Sequence, residues 1–426
     1  MNRRQFLAAL APTPRPNILF LFSDDQRWDT LGCMGNRLIK TPHLDRLATQ
    51  GTIFDRAFVT TAICAVSRAS VFSGQYARRH GIHNFATHFA PPAFAQTYPQ
   101  LLRAAGYRTG FIGKYGVGNK MPVDAFDFWR GFPGQGKYFP QGEPGPHLTT
   151  IMGDQALDFL GSADARPWCL SISFKAAHVQ DEDPRQFLPS PESAHLYDGV
   201  TFPVPKTADP KYFDQLPERV QKGEARARWH KRFETPEKYQ TSVRNYYRLI
   251  SEMDTQIGRM LEKVDLGNTL VVFMGDNGFY LGEHGLAGKW YPHEESIRVP
   301  LLLAGPGVKR NQRRQDFGLN IDVAPTILAA AGLPIPAQMQ GHDLRRPQRR
   351  KEFFYEHLFK NPGIPQTEGL RTERYKYFRY IESQPVREEV YDLSRDPLEE
   401  NNLANTNPDL LAKLRAHCDR LRASVA

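Results

Sequence analysis

The sequence predicts an α/β fold with a mostly parallel sheet, and three observations predict it. First, the runs Asn17–Ser23, Trp168–Phe174 and Thr269–Met274 are continuously apolar. They lack the alternation of a strand with one wet face, so they read as central strands buried on both sides. Second, each run ends in chemistry-bearing residues: Asp24-Asp25, Lys175-Ala176-Ala177-His178 and Gly275-Asp276-Asn277. Ligands of open α/β sheets gather beyond the carboxyl ends of strands. Third, Glu237 to Val264 places Val243, Tyr247, Ile250, Met253, Ile257, Met260, Leu261 and Val264 at helical spacing, the pattern of a helix laid on such a sheet.

The other elements follow in order. Thr41 reads as an N-cap, Pro42 as the first helical residue and Gly51 as the stop, with Leu44 and Leu47 facing inward. Phe54–Val59 reads as a short extended stretch, Pro99–Ala105 as a helix closed by Gly106, and Arg108–Gly113 as a strand. Asp154–Leu160 reads as a helix, Val299–Ala304 as a strand and Asp322–Ala331 as a helix closed by Gly332. Gln180 to about Pro236 is polar and dotted with prolines, so it reads as an irregular excursion from the core. Past Pro336 the composition shifts. Arg345-Arg346 and Arg349-Arg350-Lys351 read as a solvated basic linker. Arg374–Ile381 is aromatic and strand-like, Glu389–Leu393 closes the segment, and Leu410–Leu421 is a terminal amphipathic helix. The division is residues 1–16 as a leader or tail, 17–336 as the main α/β domain and 337–426 as a small α+β subdomain.

Composition narrows the class. The 426 residues are 40% hydrophobic and 24% charged, ordinary for a soluble globular protein. No run of eighteen apolar residues occurs, so no membrane span is expected. The net charge of +9 suits a polyanionic partner. Without a zinc finger, an RNA-binding signature or heptads, nucleic acid is not the expected one. Cys33, Cys64, Cys169 and Cys418 fit neither a zinc site nor a disulfide framework. Arg3-Arg4-Gln5-Phe6-Leu7 looks like a twin-arginine signal with a short apolar segment, which predicts a periplasmic or secreted protein.

Chemistry concentrates at the strand ends. Two adjacent carboxylates, Asp24 and Asp25, are costly beside a buried strand unless a cation lies between them. With Asp276 and Asn277 they form an oxygen set suited to a hard divalent metal. Cys64 stands at the start of a candidate helix, where free N–H groups favour negative charge, and Arg68 lies one turn on. That places a cation for an anion beside a nucleophile; the plainer reading is a small buried Cys and a surface Arg. His178, just past a strand end, is placed for acid–base work.

Cys64-Ala65-Val66-Ser67-Arg68 resembles the sulfatase signature Cys-x-(Pro or Ala)-Ser-Arg, with Val66 as the departure. The ordered set of Asp24-Asp25, this motif, Lys114, His178, Asp276-Asn277 and Lys289 is similar to the formylglycine-dependent sulfatases of the alkaline phosphatase superfamily, from Asn17 to about Leu403. The resemblance implies a large mixed, mostly parallel sheet flanked by helices. It implies hydrolysis of a sulfate ester, on a sulfated carbohydrate, through a formylglycine that a maturation enzyme makes from Cys64. It implies Ca²⁺, with Mg²⁺ as the alternative, held by Asp24, Asp25, position 64, Asp276 and Asn277. Arg68, Lys114 and Lys289 then bind the sulfuryl group and His178 protonates the leaving alcohol. His80, His83, His284 and His293 are expected to contact substrate. The family's Gly-Lys-Trp-His-x-Gly appears here as Gly113-Lys114-Tyr115-Gly116-Val117-Gly118, so Gly116 stands where the resemblance implies a histidine for sulfate release, with His80, His83 or a water as the replacement. The rival readings are a phosphate or phosphonate ester hydrolase of the same superfamily, and a non-catalytic glycan-binding protein in which Cys64 stays a thiol.

Overall fold

The computed structural model describes residues 15–347 and 350–426. The main sheet is built from β1 (Asn17–Ser23), β2 (Gly51–Phe54), β3 (Arg108–Lys114), β4 (Phe128–Phe132), β5 (Trp168–Ser173), β6 (Thr269–Gly275), β7 (Leu301–Ala304) and β8 (Gln312–Arg314). Their order is β8-β2-β7-β6-β1-β5-β3-β4. β1 lies between β5 and β6 and is parallel to both, while β7 is antiparallel to its neighbours β6 and β2. The register pairs Phe22 with Ser173 and Ser23 with Gly275, so the segments after β1, β5 and β6 emerge together at one edge.

Successive side chains of a strand point to opposite faces, and the core divides accordingly. Phe20, Phe22, Val272 and Met274 pack on one face with α2 (Cys64–Ser73), α3 (Tyr98–Ala104) and α7 (Val323–Ala330), while Leu19, Leu21, Val271 and Phe273 pack on the other face. That second face is covered by α1 (Pro42–Thr49), α4 (Leu148–Gly161) and α6 (Pro236–Leu261). In α6, Thr235 caps by accepting from Lys238 N, and Pro236 takes the first helical position. Val243, Tyr246, Ile250, Met253, Ile257 and Met260 form its buried stripe, each worth about 1.5–3 kcal/mol on burial.

The expected elements are present, with instructive differences. α4 begins at Leu148, because His147 accepts from Thr149 N and supplies a cap the periodicity does not reveal. The excursion after Gln180 is not structureless: it contains α5 (Glu224–Arg232), whose Arg228 lies over the Trp290 ring. β4 was not expected, since Phe-Trp-Arg-Gly-Phe is an edge strand with no deeply buried position.

The C-terminal region is an antiparallel sheet of β9 (Glu352–His357), β10 (Thr367–Thr372), β11 (Tyr375–Tyr380) and β12 (Arg387–Asp392), followed by α8 (Pro408–Ser424). It is stitched to the main domain: Glu356 N donates to Thr60 O at 3.0 Å and Tyr355 OH to Trp290 O at 2.7 Å. The basic linker departs from expectation at Arg350, which pairs with Asp322 at 2.6 and 2.8 Å instead of standing in solvent. Arg349 and the twin-arginine pair Arg3-Arg4 lie outside the described residues. No described helix is long and apolar enough to cross a membrane.

Candidate active site at the strand ends

Six chain segments converge where β1, β5 and β6 end, carrying Asp24 and Asp25, Cys64 and Arg68, Lys114, His178, Asp276 and Asn277, and Lys289. Asp24 and Asp25 leave β1, and Asp25 adopts φ 56°, a left-handed conformation that turns the two carboxylates into one space. Tyr246 OH, from α6, donates to Asp25 O at 2.7 Å and holds that turn. Asp276 and Asn277 leave β6, and Asp276 Oδ1 accepts from Asp25 N at 3.1 Å. α2 starts at Cys64, all ten of its residues are buried, and its N-terminal turn faces the carboxylates.

The cations lie among the acids. Arg68 is 1% exposed; its Nε donates to Asp276 Oδ2 at 3.0 Å and its Nη2 lies 3.3 Å from Asp24 Oδ2. Its Nη1 donates to Lys114 O at 2.7 Å and to Ser173 Oγ. Lys114 pairs with Asp24, and Lys289 pairs with Asp25 and lies 3.6 Å from Cys64 Sγ. Asn277 Nδ2 donates to Asp25 Oδ1 at 2.6 Å. His178 Nδ1 lies 2.7 Å from Val179 O, so its Nε2 faces inward, 3.7 Å from Asp25 Oδ2.

Burial and neighbours pull the charges in opposite directions. Burial would raise Asp24, but Lys114, His178, Arg68 and Lys289 overcome it and hold Asp24 well below the usual carboxylate range. Burial, then the Asp24 charge, raises Asp276. Burial would lower Lys289, yet Asp25, Cys64, Asp24 and Asp276 raise it, so it stays charged. Burial pushes His178 down; Asp24 pulls it back up, and Lys289, Lys114 and Lys175 add to the lowering.

The donor set fits a divalent cation. Carboxylate oxygens of Asp24, Asp25 and Asp276 lie within 4.8 Å of one another, as do donor atoms of Asp24, Cys64 and His178. Asp24 Oδ1 and Asn277 Oδ1 are buried with no hydrogen-bond partner, which is costly for any oxygen that nothing else engages. A hard ion with oxygen ligands is what such a set accommodates.

All the residues expected to act as catalysts or metal ligands are therefore together, and the four other histidines share no hydrogen bond or ion pair with them. His80 has both ring nitrogens engaged, 3.1 Å from Ser70 Oγ and 3.1 Å from Ile82 N. His83 makes no hydrogen bond or ion pair with the cluster. His284 and His293 stack on each other at 4.7 Å; His293 Nδ1 meets Tyr280 OH at 2.6 Å, and its ring packs against Phe378 and Tyr391. Gly116 adopts φ +72°, and a Cβ there would stand 2.6 Å from Arg68 Cδ. Arg68 thus packs into the space a side chain at 116 would need.

Sequence reasoning missed several supports. Asn320 Nδ2 donates to Ser67 Oγ at 3.0 Å while its Oδ1 accepts from Thr60 N, which fixes the approach to Cys64. Lys175 donates to Val179 O at 2.9 Å, and burial, then repulsion from Lys114, pushes it down to about 8. Its place directly after the β5 run was the available signal.

A family model described as Sulfatase matches residues 16–333, and one described as N-sulphoglucosamine sulphohydrolase, C-terminal, matches residues 282–424. The chain is 28% identical over 482 residues to an N-acetylglucosamine-6-O-sulfatase of Bacteroides thetaiotaomicron, covering 92% of this chain and 83% of that protein. It is 27% identical to an arylsulfatase of Clostridium perfringens, over 92% of this chain and 91% of that one. A solved structure in complex with its substrate D-glucosamine-2-N,6-O-disulfate matches with TM-score 0.82 and 26% identity, over 96% of this chain and 98% of that one. A phosphonate monoester hydrolase of Silicibacter pomeroyi shares the fold, with TM-score 0.80 at 22% identity over 96% of each chain.

Proposed function

The chain belongs to the sulfatase family and is a sulfuric ester hydrolase, and from that premise we propose that it removes sulfate from a sulfated amino sugar or a saccharide containing one. The observation that carries the reading is Cys64 at the N-terminus of α2, 3.6 Å from Lys289 and flanked by Arg68 among buried carboxylates. The names of the relatives support the sugar.

In this reading Cys64 is oxidised by a maturation enzyme to formylglycine, whose hydrated aldehyde supplies the nucleophile. A divalent cation, Ca²⁺ with Mg²⁺ as the alternative, would be held by Asp24, Asp25, Asp276 and Asn277 beside position 64, and supplies a Lewis acid that makes a hydroxyl nucleophilic near neutral pH. This chain's side chains do the rest. Arg68, Lys114 and Lys289 are preorganised cations for the sulfuryl oxygens, and such donors count most where water is excluded. His178, oriented through Nδ1 and Val179 O, presents Nε2 to the leaving oxygen and passes it a proton once the anionic sulfate ester beside it has restored the imidazolium that burial disfavours; Lys289, which stays charged, is the second donor within reach of the cluster. Gly116 offers no side chain, so no proton is taken there. Export to the periplasm or medium is part of the proposal and rests on Arg3-Arg4.

Mass spectrometry of the peptide containing residue 64, with paired assays of glucosamine sulfates and phosphonate or phosphate monoesters, tests the reading. The expected outcome is formylglycine at 64 and hydrolysis of the sulfated sugar well above either phosphorus ester. An unconverted thiol after coexpression with a maturation enzyme, or a preference for the phosphonate, overturns it.

A further inference from the structure

Lys114 has a second side-chain partner that no role above accounts for. Its Nζ meets Asp24 Oδ2 on one side and Gln135 Oε1, at 2.5 Å, on the other. Gln135 sits in Gly134-Gln135-Gly136, between β4 and α4. Both glycines adopt positive φ, 64° and 66°, which a residue with a side chain rarely does. The loop doubles back there and carries Gln135 to the end of β3. Three residues on, it is pinned to the His178 segment. Tyr138 OH donates to His178 O at 2.7 Å, Tyr138 N donates to Gln180 Oε1 at 2.9 Å, and the Tyr138 ring lies 4.9 Å from Lys175 Nζ. One loop thus touches both the sulfuryl-binding lysine and the backbone of the proton-transfer histidine.

We infer that Gln135 is a positioning residue that aims Lys114 at the sulfuryl group, an inference that rests on the role given to Lys114 above. An ammonium has three N–H bonds. Asp24 and Gln135 take two and fix the axis of the third, which is left for a sulfuryl oxygen. A neutral acceptor suits the task. It restrains the ammonium without cancelling its charge, whereas a carboxylate at 135 would neutralise it. Without Gln135, Lys114 is free to turn its remaining protons onto Asp24, an acid the cation site needs.

The test uses Gln135→Leu, which removes the acceptor at similar volume, and Gln135→Glu, which keeps the shape and adds a charge. Two readouts are taken. One is calorimetric titration of inorganic sulfate into protein with an unconverted Cys64. The other is kcat/KM on a small aryl sulfate and on a sulfated glucosamine, with thermal unfolding alongside. A charge-assisted hydrogen bond carries roughly a factor of 10 or more. Gln135→Leu should therefore weaken sulfate about 10-fold and lower kcat/KM by a similar factor on both substrates, since the sulfuryl group is common to them. Gln135→Glu should lose more than Gln135→Leu while unfolding at the wild-type temperature. Unchanged sulfate affinity in both variants overturns the inference. So does a loss confined to the saccharide, which would make Gln135 a sugar contact, or a loss that tracks unfolding temperature, which would make it structural. If the wild type hydrolyses no sulfate ester, the proposed function fails, and the sulfate titration still decides the role of Gln135.

Discussion

Two buried charge clusters, one at the strand ends and one under the C-terminal sheet, look alike in composition and differ in arrangement. The second gathers Glu294, Glu399, Arg371 and Lys376. Lys376 Nζ lies 3.0 Å from Glu294 Oε1 and 2.8 Å from Glu399 Oε1, and Arg371 Nε lies 3.0 Å from Glu294 Oε1. Burial would raise Glu294, but Arg371, Lys376 and Arg298 hold it below the ordinary glutamate range. Here acids alternate with cations, and the cluster joins the segment after Lys289 to β10 and β11. At the strand ends, three carboxylates crowd within 4.8 Å of one another; among the described residues no such triad of acids occurs elsewhere. Buried charge by itself is thus no mark of function. Nor is an unengaged oxygen, since Glu295 Oε2 is buried without a hydrogen-bond partner too; what sets the strand ends apart is three carboxylates within 4.8 Å of one another.

The largest effect expected from this contrast is at Asp24. Even partners of metal ligands typically cost 10–100-fold in metal affinity when changed. Asp24→Ala should therefore lower metal content and activity by more than about 100-fold, measured by elemental analysis and sulfate-release assays. Asp276→Ala should do the same. Wild-type metal content in both variants would show that the crowded acids are not the metal site.

The matching change in the other cluster is Lys376→Met. It leaves Glu294 and Glu399 facing each other with one cation fewer, and breaking a buried pair on one side typically costs about 3–5 kcal/mol. Denaturant unfolding should register that loss, while metal content per folded molecule stays at the wild-type level. A fall in metal content with unchanged stability would reverse the roles given to the two clusters.

The same contrast explains what the sequence could and could not reveal. Asp24, Asp25, Asp276 and Asn277 were legible because an apolar run that stops at a carboxylate is a local signal. Cys64 and Arg68 were legible through a five-residue motif, and the sheet through three such runs. Lys289 was legible through resemblance alone, because its ordinary surroundings give no period. Gln135, Ser173 and Asn320 were not legible. Their contacts with Lys114, Arg68 and Ser67 join residues 21, 105 and 253 positions apart, and no local pattern encodes such distances. The partners of His284 and His293 were not legible either, for the complementary reason. Their closeness in sequence to Lys289 says nothing about which way their rings turn, and stacking on each other beneath β11 and β12 gives them aromatic partners. Gly116 was read as a missing group, yet Arg68 Cδ stands where its Cβ would project, so Gly116→His requires Arg68 to move.

The smallest expected effect belongs to His357 in β9, and it separates structural burial from chemistry by pH alone. His357 is 0% exposed and neither ring nitrogen has a hydrogen-bond partner. Burial pushes it down to about 3, and no charged neighbour contributes. In the unfolded chain the imidazole titrates near 6.5. Above about pH 6.5 it is neutral in both states and contributes no pH dependence. Below that, the unfolded chain takes the proton first, so this residue favours unfolding by about 1.4 kcal/mol per pH unit until the folded form also protonates. At pH 5 the contribution is about 2 kcal/mol against the fold. His357→Phe removes it, together with two unengaged nitrogens. Denaturant unfolding at pH 7.5 and pH 5 should show the variant losing about 2 kcal/mol less than the wild type on acidification, with sulfate and metal binding at pH 7.5 unchanged. Parallel stability profiles would mean that His357 is protonated, or hydrogen-bonded, in the folded protein.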